Sequence, residues 1–173
     1  GEAHAERISF DSAEAWRQWT LPRGAVEITD GGSIQLVPVR RGINAIEDAA
    51  RFGGGIRAAG SNLAEAALLI DGDKKTAWRP RAQDGREHWW VEVDLGRLVV
   101  ADEIRIQLAE DAPPLEFFRV LISNGEPTFT NALVPIEGTI VYGQSHRYGF
   151  NDQRELAIPL AQEPVRVVRI EAQ

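Results

Sequence analysis

Apolar and polar positions alternate with a period of two along much of this chain. In "EIRIQL" (103–108), Ile104, Ile106 and Leu108 alternate with Arg105 and Gln107. In "WVEVDL" (90–95), Val91, Val93 and Leu95 stand against Glu92 and Asp94, and "RELAIPL" (154–160) repeats the pattern with Leu156, Ile158 and Leu160. Successive side chains of a strand point to opposite faces, so this pattern predicts half-buried antiparallel strands. Further strands are expected at "AVEI" (25–28), "SIQLVPV" (33–39), "FFRVLI" (117–122) and "VRVVRIEA" (165–172). Turn signals at 30–32, 111–114, 123–127 and 162–164 separate them. Short strands broken by scattered turns predict an all-β sandwich or jelly roll. The absence of regular strand–helix alternation argues against a parallel α/β sheet.

Helical signal is local. Asp11 followed by Glu14 resembles a capping box, with Trp16 and Trp19 on one helical face. "NAIEDAARF" (44–52) and "NLAEAALL" (62–69) read as connectors of one or two turns. The glycine run at 53–55 is the expected seam between an N-terminal appendage of strand and helix (1–52) and the main body (53–173). The two are expected to form one compact domain, cut from a larger protein, with the appendage completing the sandwich edge.

Composition narrows the function classes. The chain has 173 residues, enough to bury one sizeable core, and a formal charge of −7. Its one basic cluster, Arg79, Arg81 and Arg86, has Asp84 and Glu87 beside it, so nucleic acid is not an expected partner. There is no cysteine, which excludes disulfides, thiolate metal sites and a cysteine nucleophile. No apolar window is long enough for a membrane span.

The motifs that suggest chemistry are mostly weak. "GGGIRA" (53–58) fits a dinucleotide pattern, but no apolar strand precedes it, so a glycine turn is the better reading. "GQSHR" (143–147) lacks the final glycine of a nucleophile elbow, and no nucleophile–base set is visible, so an enzyme is not expected. "LLIDGDKKTAW" (68–78) is more informative. It is not an EF-hand, because Thr76 stands where the loop glycine belongs and Ala82 where the bidentate acid belongs. What remains is a tight turn with Asp71 and Asp73 around Gly72, and Thr76 close behind. Two readings stay open: hard oxygens around Ca²⁺, or an Asx-type turn whose carboxylates accept backbone N–H groups.

Four stretches then resemble one family: "IRAAGSNLAEAALLIDGDKKTAW", "HWWVEVDLGRLVVADEIRI", "FFRVLISNG" and "VRVVRIEA". The Asp-Gly-Asp turn, Thr76 and Trp78, then the strand led by Trp90 and ending Asp94-Leu95-Gly96, is similar to the discoidin, or coagulation factor 5/8 type C, domain. Its carbohydrate-binding relatives are the family 32 modules. The resemblance covers roughly residues 55 to 172 and implies a galactose-binding-like β-sandwich with short connecting helices. It implies that a structural Ca²⁺ would be held by the Leu68 carbonyl, Asp71, Asp73 and Thr76. The family usually adds a last strand with a further acidic ligand beyond "VRVVRIEA", which this sequence does not show. No organic cofactor is expected.

In such a fold, partners meet the loops at one end of the sandwich. Sugars need an aromatic face plus hydrogen-bonding side chains. Two stretches offer that mixture: 78–90 with Arg79, Arg81, His88 and Trp89, and 142–152 with His146, Arg147, Tyr148 and Asn151. The bland readings are that Arg79 and Arg81 pair with Asp84 and Glu87, and that the second stretch is a solvated loop. Trp78 and Trp90 are expected inside the core. The leading expectation is a non-catalytic module that binds cell-surface or polymeric carbohydrate, as part of a larger secreted, extracellular protein. The alternative is a ligand-free interaction or spacer domain in protein–protein or cell-surface adhesion, docking on neighbouring domains. Phospholipid binding fits poorly with the acidic charge.

Overall fold

In the computed structural model, the described residues are 44–173 and the short backbone segments 26–28 and 34–36. The chain divides into two units, Gly1–Asn44 and Ala45–Gln173. In the first, β1 (Val26–Ile28) and β2 (Ile34–Leu36) form an antiparallel pair with Val26 opposite Leu36. These strands fall within the predicted ones. The expected Asp11–Trp19 helix lies outside the described residues.

The second unit is all-β. Strands β3 (Gly55–Ala59), β4 (Trp90–Gln107), β5 (Phe118–Ser123), β6 (Gln144–Tyr148) and β7 (Glu155–Ala172) form one sheet in the order β3-β4-β7-β5-β6. Every pairing is antiparallel. The connectors at 49–52 and 63–69 are 3₁₀ helices, as short as the sequence implied, and a third 3₁₀ turn covers Arg86–His88.

Two expected boundaries are absent. "WVEVDL" and "EIRIQL" belong to one 18-residue strand, β4, and "RELAIPL" and "VRVVRIEA" to another, β7. Their punctuation is absorbed as irregular register. Gly96 takes φ +74° where the β4–β7 register shifts between Asp94 and Val99, and the Asp94 carboxylate accepts its N–H at 2.8 Å. Gln162, in the expected "QEP" turn, takes φ +52° beside the second shift. A straight strand of this length would span about 60 Å. Such irregularities bend strands, and here the far segments fold back onto the same core. Ile104, Ile106, Leu156 and Ile158 join Phe118, Val120, Ile122 and Val165 in one cluster.

The glycine run is also built into the body. Gly53 ends the first 3₁₀ helix in the left-handed region and Gly55 opens β3. Between them, Gly54 sits so close to the Asp94 carbonyl and the Gly96 N–H that a Cβ there would overlap backbone. Ala49 is buried, and Ala45 and Ile46 pack against the core cluster.

The two faces of the sheet differ sharply. Val91, Val93, Phe118, Val120 and Ile122 bury on the core face. On the other face, register aligns Glu92 with Arg169, and Glu171 with both Trp90 and Arg119. Trp90 therefore follows the polar register rather than the core. It is half-buried, with the Arg169 guanidinium 3.9 Å from its ring centre. No tryptophan belongs to the buried core among the described residues.

Candidate functional site

Register also decides which loops meet. Ala59 stands opposite Val91, Trp90 opposite Glu171, and Phe118 opposite both Ala172 and Tyr148. The ends of β3, β6 and β7 and the beginnings of β4 and β5 therefore share one end of the sheet. The loop 60–89, the approach to β5 and the loop 149–154 gather there. Backbone bonds tie them together: Ala172 N–H to Trp89 O and Gln173 N–H to Phe117 O, both at 2.9 Å, and Asn151 N–H to Glu116 O at 3.0 Å. An ion pair between Arg79 and Asp111 adds a side-chain link.

The loop 60–89 begins with the 3₁₀ helix Leu63–Leu69, which carries the half-buried Leu68 and leads into the Asp71 turn. Gly72 takes φ +80°, a conformation that suits a residue without Cβ. Asp71 Oδ1 then accepts the Asp73 N–H at 2.8 Å, and Asp73 Oδ1 accepts the Lys75 N–H at 2.9 Å. These are the bonds of consecutive Asx turns. The Thr76 hydroxyl lies 2.6 Å from Asp71 Oδ2 and 2.9 Å from the Asp73 carbonyl. Its single proton can serve only one of them, so three hard oxygens crowd together at the turn, a donor set that suits a hard cation. The Thr76 hydroxyl, followed by the Asp73 N–H, holds the Asp71 carboxyl below its ordinary value. Among the described residues, no group of three or more His, Cys, Asp or Glu comes together as a metal site.

The rest of this loop is braced from within. Trp78 is half-buried and its indole N–H donates to the Asn62 carbonyl at 3.2 Å. Trp89 is also half-buried and donates to the Asp84 carbonyl at 2.8 Å. Arg79 pairs with Asp111, not with Asp84 or Glu87, and its guanidinium holds the Asp111 carboxyl below its ordinary value. Asp84 instead accepts the Ser61 hydroxyl at 2.6 Å. Arg81 is anchored through its backbone N–H on Ser61, and its exposed guanidinium has no partner among the described residues. His88 is exposed, with Glu87 3.7 Å away.

The second candidate stretch differs from a solvated loop, because Gln144–Tyr148 is the edge strand β6. Alternation along β6 separates its residues. Tyr148 faces the core and stacks on Phe118, with ring centres 4.8 Å apart. His146, opposite Val120, shares that face, and its Nε2 is buried without a partner among the described residues. Arg147 lies on the opposite face, exposed. Asn151 braces the loop: its amide donates to the Leu115 and Gln153 carbonyls at 3.1 and 2.9 Å and accepts the Gln153 N–H. Arg81 and Arg147 are therefore the candidates with exposed guanidinium groups and no partner among the described residues, His88 is exposed beside Glu87, and Tyr148 and Asn151 are used internally.

Two groupings were not foreseen. Phe117 and Phe150 form an edge-to-face pair at this end, with ring centres 4.9 Å apart. On the polar face, Glu92 is only 4% exposed, yet it receives Arg57, Arg169 at 3.0 Å and the Tyr142 hydroxyl at 2.6 Å. Burial raises the Glu92 pKa, but the bonds from Tyr142, Arg169 and Arg57 outweigh it and leave the carboxyl below its ordinary value. The shared register of Glu92 and Arg169 is legible in the alternation. Tyr142 is supplied by the long loop 124–143, which no periodicity places.

The sequence profile of the F5/8 type C domain matches residues 47–173. No curated protein matches the chain. Several solved structures are similar to this chain. CpGH89 from Clostridium perfringens, solved with GlcNAc-alpha-1,4-galactose, is 19% identical with a TM-score of 0.50, over 76% of this chain and 12% of that one. A family 32 carbohydrate-binding module from C. perfringens NanJ, solved with galactose, is 13% identical with a TM-score of 0.47, over 69% and 80% of the two chains. A Streptococcus pneumoniae fucose-binding module, SpX-3, is 17% identical with a TM-score of 0.44, over 69% and 82%. The profile match spans the whole five-stranded sheet and the Asp71 turn, and on it this chain belongs to the F5/8 type C domain family.

Proposed function

We propose that this chain is a non-catalytic module that recognises cell-surface or polymeric carbohydrate as part of a larger secreted protein. The observation that carries the reading is the convergence at one sheet end of loops bearing Arg81, His88 and exposed aromatic rings. Rigid strands fix the loops, and the loops supply donors for hydroxyl groups and apolar surface for pyranose C–H bonds. The galactose- and fucose-binding modules among the similar solved structures agree with it. Among the described residues, no helix is long and apolar enough to cross a membrane. The test is a broad glycan array probed with the intact chain. A saturable signal on a related set of glycans is expected, and a blank array removes the reading.

A structural Ca²⁺ belongs to the same proposal, held by the Leu68 carbonyl, Asp71, Asp73 and Thr76. Its role would be to fix the turn, since such an ion bound only to the folded state adds stability. Millimolar Ca²⁺ is expected to raise the melting temperature of the wild type by a few degrees, reversed by EDTA, and to leave Asp71→Asn unmoved. Equal melting curves with and without Ca²⁺ would show that the turn holds no stabilising ion.

One observation favours an interaction or spacer domain instead. The loop 124–143 forms an ordered finger, bridged between Phe129 and Pro135, on which Phe129, Leu133 and Val134 are each more than half exposed. A blank glycan array together with self-association or partner binding lost in Leu133→Ser would favour that reading.

A further inference from the structure

We propose that Phe150, backed by Phe117, is the stacking platform for a neutral pyranose at this end of the sheet; the inference rests on the recognition reading above. Phe150 is 87% exposed, the highest value among the described large apolar side chains. It also takes φ +54°, a left-handed conformation that is unfavourable for a bulky residue. Burial therefore does not account for its position, and its own backbone preference opposes it. Strain of this kind persists only where the surroundings impose it, and it gathers at binding sites.

The surroundings are specific. Immediately after Phe150, the Asn151 backbone and amide lock onto the Leu115, Glu116 and Gln153 backbones. Phe117, 37% exposed, meets the Phe150 ring at 68° and holds it edge to face. The result is a pre-set aromatic surface, which lowers the ordering entropy lost on binding. Phe117 also ties the platform to the other candidate loop, because its carbonyl accepts the Gln173 N–H while the Gln173 carbonyl lies 3.5 Å from Arg86.

The chemistry of the rim selects the ligand. The exposed apolar area here is one ring pair, and the exposed Glu116, Arg147 and Asp152 lie within three residues of it along the chain. A partner with a broad apolar face would need a larger continuous patch. A pyranose presents a small C–H face ringed by hydroxyls, which matches an aromatic ring with polar groups of both signs around it. Two carboxylates, Glu116 and Asp152, against the single Arg147 leave this rim net negative, which disfavours sulfate and uronate groups and favours neutral sugars.

The experiment compares wild type, Phe150→Gly and Phe150→Tyr on an array of neutral hexose, fucose and N-acetylhexosamine glycans beside sulfated and uronate glycans, with melting curves for each. Phe150→Gly is expected to lose at least about tenfold in signal on neutral glycans, while Phe150→Tyr stays within about twofold. Phe150→Gly is also expected to melt no lower than wild type, because glycine removes the left-handed strain. A packing role predicts the reverse, so a lower melting temperature for Phe150→Gly overturns the platform. Undiminished binding by Phe150→Gly, or signal confined to sulfated and uronate glycans, also overturns it and leaves carbohydrate recognition standing. A blank array with wild type overturns recognition itself, and the platform with it.

Discussion

Glu92→Ala is expected to lower the melting temperature by roughly 10 °C, the equivalent of about 3 kcal/mol for a domain of this size. The Glu92 side chain is 5% exposed, while those of Arg57 and Arg169 are 27% and 22% exposed. Removing the carboxylate leaves Arg57 with the Gly138 carbonyl, Arg169 with Glu171 and the Tyr142 hydroxyl without its acceptor, and a half-buried network short of one carboxylate is less favourable than a matched one. The partial exposure of both arginines lets water relieve some of the loss, which keeps the estimate at the low end for buried pairs. Glu92→Gln keeps an acceptor for Tyr142 but not the charge, so an intermediate loss is expected. Chemical denaturation of the three proteins checks the order, and a fully stable Glu92→Ala would contradict the buried network.

The pH dependence has a definite sign. The folded Glu92 carboxyl lies below its ordinary value of 4.5, so the unfolded chain takes up the proton first. Its stabilising contribution is complete above that ordinary value and is lost as pH falls through the lower folded one. The difference in stability between wild type and Glu92→Gln should therefore shrink on acidification below about pH 4.5. Tyr142 reinforces the network, because burial and then the neighbouring Glu92 charge push its pKa up and keep its hydroxyl a donor at neutral pH.

Phe118→Ala is expected to be the more damaging core change, at about 4 kcal/mol. Phe118 is 1% exposed, lies in the core cluster and stacks face to face on Tyr148. Truncation would leave a cavity and free the Tyr148 ring that holds edge strand β6. A melting temperature more than about 10 °C lower is expected, with loss of protection in β6 amides by hydrogen exchange. Phe118→Leu should recover much of the loss. An Ala variant with wild-type stability would contradict the placement of the core.

Much of this architecture was legible in the sequence, for a physical reason. Val91 and Val93 on one face and Glu92 on the other follow from a period of two, and the Asp71 turn marked the family. The same alternation places Trp90 with Glu92, so its half-buried position beside Arg169 is available in the pattern, and the expectation that Trp90 lies inside the core misassigns its face. The continuity of β4 and β7 was not legible. Gly96 and Gln162 resemble strand ends locally, and only pairing with the neighbouring strand shows that they are register shifts. Strand β6 was hidden because "QSHRY" is polar and its core-facing side chains are His146 and Tyr148. The burial of Glu92 depends on loop 124–143, and the meeting of Phe117 with Phe150 depends on two loops distant in sequence. Contacts of that kind leave no periodic trace.

Recognition of carbohydrate by one sheet end is checked by amide chemical-shift mapping with the saccharide that gives the strongest array signal. Saturable shifts are expected in residues 78–89, 149–152 and Gln173, with the 124–143 finger unchanged. Shifts centred on Phe129 and Leu133 instead, or none at saturating saccharide, would contradict it.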